Sequence, residues 1–590
     1  MKYNLIKLSP EQKKQQEFLV KTEKLSPLVA KYIALKNLPN DELDYFLRPT
    51  LEKLDDCNKI KDIDKAYDMI MKKIKNNRTD DILIVGDYDV DGVTATSTLV
   101  WFFRKKFNIE LHTYIPERIE GYGLKPHIID YAIQNNHNLI ITVDNGISAF
   151  EAVDYAKEKG LEVIITDHHQ MQDGILPNAD AVLNTVQEDC EYKDKHISGV
   201  GMAWNLCRKF DYDLSLFLMP ILAIGTIADL VLLQKENRVY VHEGTRMKLD
   251  QELKGLISLM KALEISDSED HILSTTEVGF KIGPVINSAG RLGYAKKALR
   301  LMISRDQKEI DILVQELLEL NVERKNIGKR MEEDALRQLD EIDFGTKENP
   351  KASLIIYPKE DDQGVKIEYN PAIVGIVASR ILEKVQIPVV MFGEKEINGE
   401  ECLSGSARSV DWFDYMKLLS KLREENLLVQ GGGHKMAAGF AIKKNDIKKV
   451  EKVFEDLAKE TYQERTHIDI LDIIRLTENK SFDKKTLKSI NNEFQKIEPF
   501  GQGNQFPSLA FDVLEPTDYK FIGKDKKHFS FRTKSGISVM AWNQTINGKI
   551  PDLNNKLFVA DINELEFTPE GSNKSFPYFQ FNLKYIVDKN

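Results

Sequence analysis

Between residues 80 and 185 the chain alternates apolar runs of strand length with stretches of helical length. Ile82–Val85, Leu111–Ile115, Leu139–Val143, Val163–Thr166 and Ala181–Leu183 have the composition of strands, and Val93–Phe107, Pro126–Gln134 and Ala149–Lys159 read as helices between them. Runs that are apolar throughout suit strands buried on both faces, and helix-length connections are what parallel strands require. This rhythm predicts a doubly wound parallel sheet. In such a sheet ligands bind beyond the carboxyl ends of the strands. The residues that follow each run therefore carry most of the functional information.

The first run leads into Asp87-Tyr88-Asp89-Val90-Asp91-Gly92, three carboxylates within five residues. Like charges this close repel, and unpaired carboxylates at the edge of a core are costly. A bound cation makes them tolerable, and hard oxygen donors favour Mg²⁺, Mn²⁺ or Ca²⁺. Asp-x-Asp-x-Asp-Gly also opens an EF-hand loop, which needs a preceding helix and a bidentate Glu at its twelfth position. Here a strand precedes and Thr98 stands twelfth. A solvated acidic turn is the plainer alternative.

The later strand ends repeat the theme. Asp144 precedes Asn145-Gly146, which alone reads as an Asx-type turn. Asp167-His168-His169 follows the fourth run. A lone histidine is usually structural, but two after an aspartate at a strand end point to ligation. Asp229 reads as lying inside an apolar helix over Ile221–Val231, where a carboxylate is expensive unless paired or bound to metal. On a parallel sheet Asp87, Asp89, Asp91, Asp144 and His168 would project from one edge. Such a set suffices for two divalent ions about 3.5–4 Å apart, a centre that activates water and stabilises phosphoryl transfer. Asp144 is placed to bridge the ions, and His169 to donate to a phosphate oxygen.

The 590 residues exceed what one core can hold, so about two to four domains are expected. A net charge of −11 excludes a globally basic nucleic-acid coat; any such binding must use local patches. Leu216–Leu233, the longest apolar candidate, is interrupted by Gly225 and Asp229, so no run reaches membrane-spanning length. The start, Met1-Lys2-Tyr3-Asn4-Leu5, lacks the apolar segment of a signal peptide. Cys57, Cys190, Cys207 and Cys402 are scattered, which argues against disulfides or a thiolate zinc site and for a reducing cytoplasm. Arg305–Ile342 contains no Pro and a single Gly, Gly328. One helix of that length spans roughly 55 Å and reads as a connector. A second mixed α/β segment follows, with strands near Leu354–Tyr357, Val389–Phe392 and Ala438–Ile442. Beyond Phe506, alternation such as Phe529-Ser530-Phe531-Arg532 argues for a small antiparallel barrel.

These motifs together resemble the DHH phosphoesterase superfamily. Asp87–Gly92 is similar to its first motif, Val143-Asp144-Asn145-Gly146 to the second, Asp167-His168-His169 to the eponymous third and Ala228-Asp229 to the fourth. The form Asp-Tyr-Asp-x-Asp-Gly resembles the RecJ branch, whose members are single-strand-specific DNA exonucleases. Asn287-Ser288-Ala289-Gly290-Arg291-Leu292 resembles a motif of that branch with an arginine facing substrate phosphate. Gly375–Arg380, Gly405–Ser409 and Gly431–His434 look like the associated DHHA1 domain. The chain departs from the pattern at Tyr369-Asn370-Pro371-Ala372, where Trp-His-Pro-Gly is expected; Asn370 can hydrogen-bond but carries no positive charge. The implied organisation is an N-terminal helical segment (1–60), a parallel-sheet DHH domain (61–240), a helical region with the connector helix (241–345), a smaller α/β DHHA1 domain (346–462) and an OB-fold-like domain (463–590).

The resemblance implies a metal-dependent exonuclease acting on single-stranded DNA by two-metal-ion hydrolysis with Mn²⁺ or Mg²⁺. It further implies 5′→3′ polarity, release of 5′-mononucleotides and a setting in DNA repair and recombination, beside a helicase and a single-strand-binding protein. Asp144, His168 and His169 would be catalytic. Asp87, Asp89, Asp91, Asp144, His168 and Asp229 would hold metal. His169, Arg291, Ser406, Arg408, Gly432 and His434 would hold substrate phosphate. Arginine grips phosphate bidentately, and glycines let backbone N–H groups approach an anion. The plain alternative for Gly431–Gly433 is a flexible turn. In the barrel, Lys524, Lys526, Lys527 and Arg532 interleave with Phe521, Phe529 and Phe531, which suits base stacking. Alternate Phe residues are more often core, so none of these is taken as a site residue. Two other readings are a phosphodiesterase for short oligoribonucleotides or cyclic dinucleotides, which has no need of the barrel, and an inactive replication scaffold, which has no reason to keep buried charges.

Overall fold

The computed structural model describes residues 2–588 except 6–7, 172–173, 267–270, 347–348, 362, 463–466, 471–472, 476–483, 512–515, 524–525, 534–535, 543, 546–547, 552, 554–555 and 568–575. The fold class expected from the sequence holds. His112–Tyr114, Ile82–Gly86, Leu139–Val143, Glu162–Thr166 and Ala181–Leu183 lie side by side in that order as one parallel sheet. Alternate residues of each run feed opposite faces. Ile82, Ile84, Ile141 and Ile164 pack under the helix Val90–Phe107 and its neighbours, whereas Leu83, Val85, Ile140 and Ile165 pack against Pro126–Gln134 and Phe150–Glu158. The register sets Gly86 opposite Val143 and Val143 opposite Thr166. Asp87, Asp144 and Asp167 therefore leave the sheet level with one another.

Helices fill the chain from Gly199 to Ile303, and Gln307–Asp340 is one continuous 34-residue helix. It leads to a five-stranded sheet in the order Gln430–His434, Ala437–Lys443, Glu400–Arg408, Val389–Ile397, Leu354–Ile356, antiparallel except for the last pair. The reading of Gly431–Gly433 as a turn is corrected: the triplet is part of an edge strand. A Cβ on Gly433 would lie 2.5 Å from the Ala437 carbonyl, so the close approach of the two strands requires glycine there.

The C-terminal domain is a seven-stranded sheet. Phe529 and Phe531 are buried in its core, as the packing alternative expected, while Phe521 is exposed beneath Lys526. Lys524 lies outside the described residues. The N-terminal helices Pro10–Thr22, Pro27–Leu35 and Asn40–Leu47 share this domain's core, through Leu19, Val29, Ile33 and Phe46 against Phe494, Leu509 and Phe531. The strand Lys2–Leu5 pairs in parallel with His467–Ile470. Arg238, fully buried, ties these parts to the first domain. Its guanidinium donates to the carbonyls of Phe46 (3.0 Å), Pro499 (2.9 Å), Ile497 (2.7 Å) and Glu498 (3.0 Å). Among the described residues no helix is long and apolar enough to cross a membrane.

Candidate active site

The acidic loop is a tight turn from strand to helix. A Cβ on Gly92 would sit 2.6 Å from the Asp87 backbone nitrogen, so glycine is needed for the chain to fold back on itself. Asp89 caps the helix Val90–Phe107 by accepting the Gly92 N–H at 3.0 Å. Asp91 lies in the first turn of that helix and is 1% exposed. Its two oxygens accept the N–H groups of Gly199 (2.7 Å) and Val200 (2.8 Å), at the start of the helix Gly199–Phe210. That helix end favours a negative charge.

Asp144 has φ +60°, a left-handed conformation that aspartate tolerates better than most residues. Its N–H bonds Thr166 O at 2.9 Å, and Asn145 Nδ2 bridges Val85 O and Val143 O, so two strand ends fix the turn. His168 Nε2 lies 3.2 Å from Asp144 Oδ1, 3.7 Å from Asp229 Oδ2 and 3.9 Å from Asp91 Oδ2. Asp229 is not inside a helix, as its apolar surroundings suggested. The helix Met219–Ala228 ends there, Asp229 caps it, and Leu230 turns away at φ +61°.

The side chains form three overlapping groups: Asp87, Asp89 and Asp144; Asp91, His168 and Asp229; and Asp144, His168 and His169. Within each group the ligand atoms lie within 4.8 Å of one another. Asp87 Oδ1, Asp144 Oδ1, Asp229 Oδ2 and His168 Nε2 are buried without a hydrogen-bond partner among the described residues. Burial pushes Asp87, Asp91 and Asp144 well above the usual carboxylate range, and the neighbouring charges of Asp89, Asp229 and Asp91 respectively push the same way. Burial also raises Asp229 and lowers His168. A divalent cation reverses these preferences. Hard oxygen donors with one imidazole suit Mg²⁺ or Mn²⁺.

Asp167 has a different place. Its Oδ1 accepts the His168 N–H (2.7 Å), the His169 N–H (3.1 Å) and His169 Nδ1 (2.7 Å), and its Oδ2 accepts the Ile147 N–H. Burial opposes the charge on Asp167, but the hydrogen bond and charge of His169 outweigh it and hold the carboxyl below its ordinary range. Burial likewise opposes the His169 imidazolium, yet Asp167 raises it to about 9.

The helix Gly283–Arg291 abuts the acidic loop so closely that a Cβ on Gly290 would overlap Tyr88 O. Arg291 at its end is mostly buried, with Nη1 on the Ala372 carbonyl of the second domain at 2.6 Å. In that domain Ser406, Gly439 and Gly432 form one cross-strand row, and Arg408, Ala437 and His434 the next on the same face. The two small residues in the middle leave the face open. Arg408 Nε bonds Ser379 Oγ at 3.1 Å.

The structure also brings Arg118 and Tyr122, which the sequence reading did not single out, up to Tyr88 of the acidic loop. Arg118 lies 5.4 Å from the Tyr88 ring centre, Tyr88 and Tyr122 meet edge to face, and the Tyr122 hydroxyl bonds Asp144 O at 3.4 Å. Arg118 and Tyr122 belong to the loop after His112–Tyr114, so the strand-end rule pointed there.

Comparison with known proteins agrees with this geometry. Residues 81–233 match the DHH family, N-terminal domain; 356–460 match the DHHA1 domain; 481–575 match the RecJ OB domain. The chain is 33% identical over 417 residues to the single-stranded-DNA-specific exonuclease RecJ of Salmonella typhimurium, covering 68% of this chain and 69% of that protein. The chain belongs to the RecJ family. RecJ of Bacillus subtilis is 31% identical over 506 residues, 85% of this chain, and the chain spans 61% of that longer relative. The crystal structure of Thermus thermophilus RecJ in complex with Mn²⁺ matches with a TM-score of 0.76 at 26% identity, over 100% of this chain and 80% of that one. The Mg²⁺ complex of the same RecJ matches at 0.70 and 24% identity, over 100% and 79%.

Proposed function

We propose that this chain is a metal-dependent exonuclease that hydrolyses single-stranded DNA from the 5′ end, releases 5′-mononucleotides and serves DNA repair and recombination. The observation that carries the reading is the set of buried, unpartnered oxygens of Asp87, Asp144 and Asp229, gathered with His168 Nε2 at the carboxyl edge of the sheet. In this reading Asp87, Asp89 and Asp144 hold one ion, and Asp91, Asp144, His168 and Asp229 hold a second. Such a pair, Mn²⁺ or Mg²⁺, would supply a water of lowered pKa and charge to neutralise a phosphodiester's transition state.

The chain's own residues do the rest. Asp91 is fixed by the Gly199 and Val200 amides, which keeps it from swinging toward solvent. Asp167 holds the proton of His169 at Nδ1, so that Nε2, 3.5 Å from the Tyr122 hydroxyl, is the atom that would meet a phosphate oxygen. Arg291 grips phosphate beside the acidic loop, and Ser406, Arg408, Gly432 and His434 guide the backbone along the open face of the second domain. Tyr88, Tyr122 and Arg118 wall the entrance, where a base can stack. On the C-terminal domain Tyr519, Phe521 and Trp542 are exposed and suit stacking of the incoming strand. The short-substrate alternative has no use for that surface. The same reading places the protein in the cytoplasm, beside a helicase and a single-strand-binding protein.

Purified protein incubated with labelled single-stranded and duplex oligonucleotides plus Mn²⁺ or Mg²⁺ tests the reading. Nucleotides are expected from the single strand alone. Equal attack on the duplex, or a preference for dinucleotides over longer strands, would transfer the assignment to another phosphodiesterase class.

A further inference from the structure

Arg291 is anchored by an unusual partner. It is mostly buried, burial and the nearby guanidinium groups of Arg118 and Arg324 press its pKa down, and its one hydrogen bond among the described residues is to a backbone carbonyl, that of Ala372. That carbonyl belongs to the other domain, in the turn Asn370-Pro371-Ala372-Ile373. Asn370 closes the turn with both of its oxygens. Its main-chain carbonyl accepts the N–H groups of Ile373 (2.9 Å) and Val374 (3.1 Å), and its side-chain Oδ1 accepts the Ala372 N–H at 2.8 Å. Ala372 is thus flanked on both sides: the N–H of its preceding peptide is held by Asn370 Oδ1, and in the peptide that follows the Ile373 N–H is held by the Asn370 carbonyl while the Ala372 carbonyl is held by Arg291.

The turn is also nailed on two other sides. The Tyr369 hydroxyl bonds Asp334 of the connector helix at 2.6 Å. A Cβ on Gly393 would overlap Tyr369 O and lie 3.1 Å from Pro371, so the neighbouring strand presses directly on the turn. The helix that follows, Val374–Val385, has Gly375 as its second residue, whose Cβ position would lie 2.9 Å from Arg408 Nη2 and 3.0 Å from Ser406 Oγ. One turn therefore separates Arg291 on the catalytic side from Ser406 and Arg408 on the second domain.

We propose that Asn370 is a positioning residue: by closing this turn it aims the Ala372 carbonyl at Arg291, and so fixes both the direction of the guanidinium and its register with Ser406 and Arg408. The inference rests on the reading of Arg291 as a phosphate-gripping residue. Asn370 itself touches no substrate. A side chain at this position needs an acceptor oxygen, not a positive charge, so Asn serves where a charged residue is not required.

A double-mutant cycle tests this on the full chain, read as affinity for a labelled single-stranded oligonucleotide with a non-hydrolysable phosphorothioate backbone, over a series of salt concentrations. Asn370→Ala is expected to weaken binding about fivefold to tenfold, the worth of one charge-assisted contact. It should also flatten the log–log salt dependence by about 0.7, one phosphate contact on a single strand. Asn370→Asp, which keeps the acceptor, is expected to restore the affinity. In an Arg291→Ala background Asn370→Ala is expected to change nothing further. Should Asn370→Ala not fold, Asn370→Ser, whose hydroxyl accepts the same N–H more weakly, carries the cycle. Effects of Asn370 and Arg291 that simply add, or an Asp variant as weak as the Ala variant, would overturn the proposal while leaving the nuclease reading intact. A wild-type protein that does not bind the strand would remove both.

Discussion

Asp91 and Gly199 meet at 2.7 Å, carboxylate oxygen to backbone N–H, and the same glycine faces Asp144 so closely that a Cβ there would overlap Asp144 Oδ1. One residue without a side chain thus touches both acidic groups. Rotating the Asp144 carboxylate would not relieve a Cβ at Gly199, because Asp144 Cβ itself lies 2.7 Å from that position. Gly199→Ala must therefore shift the helix start away from Asp91 or the Asp144 turn away from His168. The expected result is a loss of nuclease activity of about 100-fold or more, the usual cost of misplacing catalytic groups by about 1 Å. Steady-state rates with Mn²⁺, alongside circular dichroism to verify folding, check it.

Metal removal and Asp144 substitution should have opposite effects on stability. Burial and the charge of Asp91 make the ionised Asp144 costly in the metal-free protein. Asp144→Asn is expected to abolish turnover and to raise the apparent Tm of the metal-free protein at neutral pH. Mn²⁺ is expected to raise the Tm of the wild type and to do so much less for the variant. Thermal melts with and without chelator read both effects.

Glu236, which is not one of the clustered acidic side chains, supplies a pH dependence of its own. Its carboxylate accepts hydrogen bonds from the Tyr192 and Tyr240 hydroxyls and the Asp55 N–H. Burial nevertheless raises it from the ordinary 4.5 to about 7, outweighing those bonds. A raised folded-state value means that the stability contributed by the protonated form is complete below about 4.5 and is lost as pH rises to about 7. The span corresponds to roughly 3 kcal/mol. Subtracting a Glu236→Gln urea-denaturation series from the wild type should reveal a slope confined to that window; parallel curves would refute it.

Arg238 links the first domain to the N-terminal helices and the approach to the C-terminal domain through four carbonyls. Arg238→Met removes the donors and strands those carbonyls in a buried seam, at about 1–3 kcal/mol for each group left unsatisfied. Arg238→Lys should fare little better, because one ammonium cannot span the same fork. Both variants are expected to split thermal unfolding into separate transitions in calorimetry and to admit protease between the domains.

The sheet was legible because its strands are buried on both faces and so are apolar throughout, and the acidic loop because three carboxylates beside such a strand need a cation. The level exit of Asp87, Asp144 and Asp167 is a matter of register, which the composition of the strands does not encode. Asp229 was misplaced because the apolar run continues through Leu230–Leu233, residues that follow the helix instead of extending it; Leu230 is 70% exposed. The strand Gln430–His434 was missed because three glycines offer no alternation of side chains to read. The packing of the first helices on the last domain was hidden by distance along the chain: an amphipathic helix advertises a face but not its partner. Asn370 looked like a bare loss of charge, and only the turn it closes gives it a place beside Arg291.

The central claim is that the gathered carboxylates and imidazole make a metal-dependent, single-strand exonuclease. The most direct measurement is release of label from a 5′-labelled single-stranded oligonucleotide, with Mn²⁺ or with chelator, by the wild type and by Asp144→Ala. The account predicts a labelled mononucleotide as the first product, formed with Mn²⁺, suppressed by chelator and absent with the folded variant. No release by the wild type with Mn²⁺, or undiminished release by Asp144→Ala, would contradict it.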